Sequence, residues 1–417
     1  MVIFIALAKI IIIPVLVLNL IPLLIWMERK GAAYIQDRRG PNRANILGIR
    51  LGGMVHNFAD VIKLLTKEEN LPDGANRFYF YLAPFLAMFV SFVTVAVIPF
   101  GDDVHLGDLV FSLRVTDASV GMLYIFAIVS LSVYGVMLGG WASNSKFSLL
   151  GGLRVASQMI SYEIALSLAA VSLFMVTESV DLGTMVRAQG ELPWHWNFFH
   201  QPLAFLIFLV AAFAETNRNP FDLAEGESEI VGYHLEYSSM KFALFFMAEY
   251  AAIAVSSAIL VTLFFGGWQI PGFSTETLLQ GGEFYLKNVG LGVAAFSALT
   301  GLVLLTQYRP GKNGDLRDYE VLVLGIPALL AGLGLGAYLM WMGLPPLADW
   351  VAPVFVAALQ AACFLFKVLC FCFFFVWVRW TLPRFRYDQV MSFGWKGMLP
   401  IALANILGTG IYLLIRG

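Results

Sequence analysis

The chain has 417 residues, of which 59% are hydrophobic and 13% charged, and its mean hydropathy is +0.78. This composition is typical of a polytopic membrane protein and excludes an ordinary soluble domain. The formal net charge of −2 provides no large positive field, so nucleic acid is not an expected partner. The three cysteines and five histidines have neither CxxC nor HxxxH spacing. We therefore predict no metal site and no iron–sulfur cluster in this chain.

Ten runs with few or no charges are long enough to cross a membrane, because a core about 30 Å thick needs roughly 20 apolar helical residues. These runs are 2–27, 78–101, 118–142, 155–177, 194–214, 242–268, 288–308, 321–344, 351–378 and 397–415. The fifth is the weakest, since its Trp and His residues suit an interface better than lipid. The first lacks a small-residue cleavage site and is predicted to be a retained helix. We predict an all-α polytopic membrane protein, with 1–417 forming one membrane domain.

Cationic residues orient these spans. If the N-terminus lies outside, the inside segments are 28–77, 143–154, 215–241, 309–320 and 379–396. They hold 20 of the 26 Lys and Arg residues, whereas the outside segments hold four. Because cationic loops stay on the cytoplasmic side, we predict that both termini are periplasmic in the inner (plasma) membrane of a bacterial cell. An organellar inner membrane is the second choice.

One inside segment, 45–66, has the pattern of an amphipathic helix rather than of a span. Its apolar residues recur at i, i+3, i+4 and i+7 and therefore share one face. They are Met54, Val55, Phe58, Val61, Ile62 and Leu65. Polar residues, among them Asp60 and Lys63, occupy the other faces. We expect this helix to lie along the membrane interface or to pack under the bundle.

Besides Lys9, three charged residues lie within the predicted spans. Glu163 and Glu249 are about 12 Å from the predicted inner boundary, and Lys367 is about 18 Å from it, at 1.5 Å per helical residue. Ionisable groups at such depths usually face a bundle interior or a hydrated cavity, and they often mark proton routes. A structural Glu–Lys pair that locks helices together is the alternative.

Acids are concentrated where the fifth span ends, in the inside segment 215–241. The stretch FAETNRNPFDLAEGESE, which begins at Phe213, contains Arg218 and the carboxylates Glu215, Asp222, Glu225, Glu227 and Glu229. Asn219 precedes Pro220 and is disfavoured in a helix, and the interleaved Phe221 and Leu223 indicate that the segment folds back onto protein. Closely spaced, partly buried carboxylates can share protons. The pattern predicts a proton relay, but a cation site or a solvated acidic loop would share it.

The first inside segment mixes both charges around a turn. MERKGAAYIQDRRGPNRANI contains Glu28, Arg29, Lys30, Arg38, Arg39 and Arg43 beside a Gly40-Pro41 turn. This combination indicates a docking surface for another protein or the mouth of a cavity. Ordinary anchoring at the cytoplasmic surface is the alternative.

Four long stretches together resemble one family. They are ERKGAAYIQDRRGPNR, GGWASNSKFSLLGGLRVASQMISYE, AETNRNPFDLAEGESE and RWTLPRFRYDQVMSFGWK. They are similar to the signature segments of the H-subunit family of proton-translocating NADH:quinone oxidoreductase (complex I), whose mitochondrial member is called subunit 1. The resemblance covers most of 1–268 and 350–415.

The resemblance implies a place in a respiratory chain. Members of the family hold no redox cofactor, form much of the quinone-access chamber, and help to couple quinone reduction to proton translocation. The implied partners are quinone, membrane lipid, the quinone-module subunits of the hydrophilic arm and other membrane-arm subunits. NADH, flavin and iron–sulfur clusters are implied only through those partners.

Together with the buried charges, the resemblance assigns residues to two sites. The predicted quinone-chamber residues are Glu28, Arg29, Arg38, Asp60, Lys63, Arg218, Arg384 and Arg386, and Asp388 lies in the same last inside loop. The predicted proton-relay residues are Glu163, Glu215, Asp222, Glu225, Glu227, Glu229, Glu249 and Lys367. No catalytic redox residue and no metal ligand is predicted.

The chain departs from the family in its number of spans. The family core has eight, so 288–344 is predicted to be an inserted helical hairpin between the family's sixth and seventh helices. Its second helix contains four glycines whose spacing permits close helix contact, namely Gly325, Gly332, Gly334 and Gly336. The connecting loop carries Arg309, Lys312 and Arg317, as an inside turn should. We expect the hairpin to face lipid or a partner, outside the chamber.

Two other functions compete with this one. The equivalent subunit of a membrane-bound hydrogenase or formate hydrogenlyase shares the arrangement without needing quinone, but the complete acidic loop and amphipathic helix favour the quinone enzyme. A self-contained secondary transporter would have inverted repeats and paired broken helices, and the sequence contains no convincing repeat.

We predict that the chain purified away from all partners is colourless and catalytically inert. The sequence has neither cluster spacing nor a haem CxxCH motif, so electrons must be carried elsewhere. Absorption spectra and metal analysis check this expectation. Stoichiometric iron or flavin in the partner-free chain would contradict it.

Overall fold

Long apolar helices make up most of the chain. The computed structural model describes residues 2–107, 109–223, 230–308, 319–342 and 348–416. The first half contains α1 (Val2–Ile35), α2 (Val55–Thr66), α3 (Arg77–Val95), α4 (Gly121–Ser130), α5 (Ser132–Ala142), α6 (Lys146–Thr177), α7 (Leu182–Ala188) and α8 (Asn197–His200). The second half contains α9 (Pro202–Glu215), α10 (Ser239–Phe264), α11 (Thr275–Gln280), α12 (Gly282–Thr306), α13 (Glu320–Trp341), α14 (Val351–Thr381), α15 (Tyr387–Phe393) and α16 (Leu399–Arg416). Short 3₁₀ turns lie at Leu51–Gly53 and Pro193–His195, and a π-helical turn at Gly394–Met398 joins α15 to α16. Sheet structure in the described residues amounts to one antiparallel hairpin, β1 (Val104–Leu106) with β2 (Leu109–Phe111), and two isolated bridges.

The prediction of an all-α polytopic membrane protein is confirmed. Among the described residues, nine helical segments are long and apolar enough to cross a membrane. They correspond to nine of the ten predicted spans. The third of them is interrupted at Leu131, where α4 ends and α5 begins.

The fifth predicted span, 194–214, is shorter than predicted. Pro193 opens a 3₁₀ turn, Pro202 starts α9, and the resulting helix has 14 residues. At 1.5 Å per residue α9 is about 21 Å long, less than a hydrocarbon core. A short helix is tolerated there because protein satisfies the polar groups at its ends; Gln201, for example, donates to Thr409 Oγ1 of α16 (3.0 Å).

The most buried helix is α10, which packs against α1, α3 and α14. Its apolar residues are distributed all round, as expected for a helix enclosed by others. Both of its ends carry polar contacts. Lys241 pairs with Glu69 (3.1 Å) near the start, and the carbonyls that follow its last turn accept hydrogen bonds from Lys367.

Contacts between loops show which segments share an end of the bundle. Asn76 N donates to Ala142 O (3.3 Å), Ser238 Oγ to Glu68 O (3.4 Å), and Asn219 Nδ2 to Leu382 O (2.6 Å). The segments 28–77, 143–154, 215–223, 230–241 and 379–396 therefore meet at one end, which we call the cationic end. Within the described residues this grouping agrees with the charge pattern, although the predicted inside segment 309–320 is described only at Tyr319 and Glu320. The compartment that this end faces stays a prediction.

At the opposite end, ion pairs connect the β-hairpin region to α7. Arg187 donates to Asp102 and Asp103, and Arg114 donates to Asp181 (2.7 Å). Burial alone would raise the pKa of Asp181, but hydrogen bonds from the Thr184 amide and from Arg114 outweigh it and hold this pKa below its ordinary value. Asp181 also caps α7 through that amide.

The predicted inserted pair is a tight helical hairpin, α12 with α13. A Cβ atom on Gly332 would lie 2.4 Å from Ala298 N, and one on Gly301 would lie 2.4 Å from Leu329 N. Outside this contact the two helices are largely exposed, including Phe296 and Leu330. The hairpin therefore lies at the edge of the bundle, where lipid or a partner can cover it.

The two glycines Gly332 and Gly334 provide a matched test of this packing. We predict that Gly332→Ala destabilises the hairpin by about 1–3 kcal/mol, because the added methyl meets backbone atoms of α12. Gly334→Ala meets nothing within 4 Å and should be neutral or slightly stabilising through helix propensity. The thermal stability of the detergent-solubilised complex measures both, and equal loss in the two variants would contradict the packing.

Candidate functional site

The segment that follows α9 folds back into the cationic end instead of forming a solvated loop. Thr216, Asn217, Arg218, Asn219 and Asp222 are all buried. Gln158 of α6 donates to the carbonyls of Ala214 (2.7 Å) and Phe221 (3.0 Å). The interleaved aromatic and leucine side chains, Phe221 and Leu223, are buried as well. The prediction that the acidic segment folds back onto protein is confirmed for its described part, 215–223.

Arg218 lies between two carboxylates from different helices. Its guanidinium is 3.5 Å from Glu28 Oε2 at the end of α1 and 3.9 Å from Glu249 Oε2 in α10. The same guanidinium stacks over the Tyr250 ring, 4.2 Å from the ring centroid. A buried cation needs such partners, because a low-dielectric surrounding strongly disfavours an uncompensated charge.

Further hydrogen bonds extend this arrangement on both sides. Tyr250 donates to Glu28 Oε2 (2.9 Å), and Arg379 of α14 donates to the other Glu28 oxygen. On the α10 side, Tyr233 donates to Glu249 Oε1 (2.8 Å). A continuous polar chain therefore connects α1, α14, the 215–223 segment and α10. We call Arg379, Glu28, Arg218, Tyr250, Glu249 and Tyr233 the arginine network.

The network begins at the wall of a cavity of about 470 Å³, which we call the charged cavity. Its lining residues come from α1, the following loop, α2 and the end of α14. They are Glu28, Arg29, Ala32, Arg38, Pro41, His56, Arg379 and Trp380. Arg29 donates to Asp60 of α2, and His56 lies 3.6 Å from the same carboxylate. The volume is within the range of small-molecule sites, roughly 300–1,000 Å³.

A second, enclosed cavity lies deeper in the bundle, and we call it the hydroxyl cavity. Glu163 of α6 and Glu215 of α9 both line it, together with the hydroxyl side chains of Ser91, Thr94, Ser132, Thr216 and Ser256. Its volume is about 60 Å³. A polar cavity needs only about 10–15 Å³ on this measure to hold one water molecule, so several would fit.

The break between α4 and α5 lies beside Glu163. Ser130, the last residue of α4, donates to Glu163 Oε1 (2.6 Å), and the Ser132 hydroxyl is buried without a hydrogen-bond partner among the described residues. An unpaired buried hydroxyl at a polar cavity is a ready partner for water. Ala252, on α10 less than one turn beyond Glu249, lines the same cavity.

Comparisons with known proteins identify the family to which the chain is similar. The family model described as NADH dehydrogenase matches residues 7–410. The H subunit of the NADH-quinone oxidoreductase of Flavobacterium psychrophilum is 42% identical over 391 residues, 94% of this chain and 91% of that protein. The H subunit numbered 1 of the Solibacter usitatus enzyme is 40% identical, covering 98% of this chain and 96% of that protein. Subunit 8 of the Rhodothermus marinus enzyme is 41% identical, covering 92% and 90%.

The chain belongs to the NADH dehydrogenase family, within its H-subunit group. The resemblance found in the sequence is thereby confirmed, and it extends over nearly the whole chain. The family match includes the inserted hairpin within its bounds.

Several residues that the family resemblance assigned to the chamber do lie together. Glu28, Arg29 and Arg38 line the charged cavity, Asp60 binds Arg29, and Arg218 contacts Glu28. The other three lie nearby or on the surface. Arg384 pairs with Asp222 (2.9 Å), Arg386 pairs with Asp388 and is exposed, and Lys63 is an exposed residue of α2.

The predicted relay residues separate into groups. Glu163 and Glu215 share the hydroxyl cavity, Glu249 lies in the arginine network, and Asp222 pairs with Arg384. Lys367, on α14, reaches the backbone just beyond the last turn of α10. Its ammonium is therefore about 24 Å from Glu249, measured along α10 at 1.5 Å per residue. Its ammonium donates to the carbonyls of Phe265, Gly267 and Gln269. Glu225, Glu227 and Glu229, as well as Arg309, Lys312 and Arg317, lie outside the described residues.

Several members of the site were not predicted from the sequence. Tyr233, Tyr250 and Arg379 belong to the arginine network, and Ser130 bonds to Glu163. The one available signal was Arg379, the first cation after a long apolar run. The two tyrosines lie among other aromatic residues, and no spacing rule distinguishes them.

We predict that Arg218→Ala destabilises the protein by about 3–5 kcal/mol, because it leaves Glu28 and Glu249 without their shared cation. Arg386→Ala, at an exposed pair, should stay within about 0.5 kcal/mol. Chain abundance in membranes and thermal stability in detergent measure the difference. Similar stability of the two variants would show that the buried pairing is unimportant.

Proposed function

We propose that this chain is the membrane-arm H subunit of a respiratory NADH-quinone oxidoreductase, which forms a quinone-access chamber and couples quinone reduction to proton movement. The relatives that it matches carry that name over nearly their full length. Its proposed partners are the quinone-module subunits of the hydrophilic arm and the other membrane-arm subunits. The proposed location is a bacterial inner membrane, with the cationic end in the cytoplasm.

The charged cavity is the proposed site for the quinone head. A quinone ring presents two carbonyl oxygens, which accept hydrogen bonds, and the cavity wall offers donors from Arg29, Arg38, His56 and Arg379. Trp380 supplies an apolar surface for the ring. Reduction consumes two electrons and two protons: NADH, H⁺ and quinone give NAD⁺ and quinol. Electrons come from flavin and iron–sulfur clusters on partner subunits.

The observation that carries the proposal is the arginine network. Glu28 lines the charged cavity and contacts Arg218, and Arg218 contacts Glu249 within the most buried helix. A change of charge or protonation at the cavity therefore alters the pairing of Arg218, and with it the electrostatic environment of Glu249. Coupling in a water-poor interior is strong because the effective dielectric is low.

The hydroxyl cavity is the proposed next site on the proton route. Water held by Ser132, Thr94 and Ser256 would lie between Glu163 and Glu215, which are the two acids able to take up or release a proton there. Glu225, Glu227, Glu229 and Lys367, which the sequence predicted as relay residues, are proposed to take part in the same proton route.

We predict that Glu163→Gln assembles normally but lowers the number of protons moved per NADH, because an amide cannot carry the proton. NADH:quinone reductase activity and proton pumping in sealed vesicles measure this. Glu283→Gln, at an exposed residue of the inserted hairpin, is the matched control. A normal proton yield in the fully assembled Glu163→Gln enzyme would end the relay part of the proposal.

The chamber part has its own test. Glu28→Gln should lower the quinone reductase rate about tenfold, a loss of about 1.4 kcal/mol of transition-state stabilisation. Electron transfer from NADH to a water-soluble acceptor that bypasses quinone should be unchanged. Equal losses in both assays would indicate a general assembly defect instead.

A further inference from the structure

The inserted hairpin makes one buried polar contact with the main bundle, at Glu320. This glutamate is the first residue of α13, and its side chain is only 7% exposed. One carboxylate oxygen accepts hydrogen bonds from the amides of Arg50 (2.9 Å) and Leu51 (2.8 Å). The other accepts from Arg50 Nε (2.6 Å). Three donors thus converge on one carboxylate, which is the arrangement of a strong, charge-assisted contact.

The segment that Glu320 binds is irregular backbone. Residues 36–54, which we call the mouth segment, contain one isolated bridge and the 3₁₀ turn at Leu51–Gly53, but no longer element. Leu51 has φ 48°, a left-handed conformation that costs free energy for a residue with a side chain. The Glu320 carboxylate accepts from the amide of that residue, so the hairpin stabilises one of the left-handed residues of the segment.

The contact leads by short steps to the charged cavity. A Cβ on Gly53 would lie 2.2 Å from Pro41 O, so these two backbones pack directly against each other, and Pro41 lines the cavity. Arg50 also reaches Asn42 Oδ1 (3.4 Å). On the other side, the turn leads directly into α2, whose His56 lines the cavity and whose Asp60 binds Arg29.

Two side chains of α1 also anchor the mouth segment. Trp26 Nε1 donates to Gly52 O (3.2 Å), and Lys30 Nζ donates to Arg39 O (3.0 Å). Both are single bonds to a carbonyl. Glu320 makes three bonds, two of them to backbone amides at the turn that precedes α2, and it comes from the predicted inserted hairpin.

We propose that Glu320 is a positioning residue for the charged cavity: through it the inserted hairpin holds the mouth segment and the start of α2 in the geometry that admits quinone. The role in quinone access rests on the proposed function above. The hairpin accordingly acts from outside the cavity, without touching the quinone itself. The substrate class that this contact affects is long-tailed, membrane-dissolved quinone, because the tail must pass the mouth segment and the exposed apolar face of α2.

Amide hydrogen exchange in the intact purified complex tests the contact directly. In Glu320→Ala the amides of Arg50 and Leu51 lose their acceptor, so a peptide covering 45–54 should exchange at least about tenfold faster. Glu320→Gln keeps an acceptor oxygen but loses the charge pairing with Arg50, and should give a smaller increase. Glu283→Ala, at an exposed position of the same hairpin, is the control and should leave this peptide unchanged.

Kinetics on the same preparations tests the positioning role. Glu320→Ala should raise KM for a long-tailed quinone about fivefold while kcat, and electron transfer to a water-soluble acceptor, stay near normal. Glu320→Gln should lie between Glu320→Ala and the unmodified enzyme. If Glu320→Ala fails to assemble, the comparison is made on Glu320→Gln alone.

Unchanged exchange in the 45–54 peptide would overturn the contact, and faster exchange with an unchanged KM would overturn the positioning role. A failure of the proposed function can be distinguished from a failure of the inference about Glu320. In that case Glu28→Gln leaves quinone reduction intact, whereas the exchange result at Arg50 and Leu51 does not depend on any quinone chemistry.

Discussion

The positive charge of Arg218 is buried among helices, and the packing at the cationic end of the bundle depends on the groups that compensate this charge. Its charge is countered by Glu28 from one side and Glu249 from the other, with the Tyr250 ring beneath it. Removing a charge from water into a low-dielectric interior costs several kcal/mol, which is recovered only when partners are held close. Because Glu28 also binds Arg379, one requirement for charge balance fixes α1, α10, α14 and the loop after α9 relative to one another.

This constraint also explains why α1 continues to Ile35, beyond the predicted end of its apolar run at 27. The first charged residues after that run are within a helix rather than a loop because each has a partner outside α1. Glu28 binds Arg379 and Tyr250, Arg29 binds Asp60, and Lys30 donates to Arg39 O. Hydropathy places a boundary where charge begins, whereas the helix ends where its polar groups no longer find partners.

Much of the fold could be predicted from sequence because apolar run length is a direct physical requirement of the bilayer. Nine helices, the α2 stripe and the end of α9 before Pro220 all follow from it or from local backbone chemistry. The predicted amphipathic helix 45–66 was too long at its start: α2 begins at Val55, because 45–54 contains an isolated bridge, a 3₁₀ turn and the left-handed residues Leu47 and Leu51. The sequence marked 194–214 as the weakest span, and Pro193 and Pro202 interrupt it, but neither the length of α9 nor the break at Leu131 was predicted. Both depend on whether neighbouring helices satisfy the freed polar groups, and that information lies in residues such as Thr409 and Glu163, far away in sequence. The same distinction holds for the site. Charged residues in or beside apolar spans could be recognised in the sequence, but the partners with which they pair could not. Arg218 meets Glu28 across 190 positions, and Glu320 meets Arg50 across 270.

Glu163 and Glu249 were both predicted as proton-relay residues about 12 Å from the inner boundary, yet they lie in two separate polar systems that approach each other near Ala252. That separation has a mechanistic consequence for the proposed coupling. Two unit charges about 8 Å apart interact by about 2 kcal/mol at an effective dielectric of about 20, which is enough to shift a proton equilibrium more than tenfold. The arginine network can therefore influence the hydroxyl cavity through its field, without a continuous hydrogen-bonded wire between Glu249 and Glu163. Proton transfer then needs water only inside the hydroxyl cavity, where Ser130 and Ser132 flank the break between α4 and α5. In this proposal the arginine network senses charge and the acids of the hydroxyl cavity carry the proton. A substitution in the arginine network is therefore expected to change the rate of proton transfer in the hydroxyl cavity rather than to abolish it.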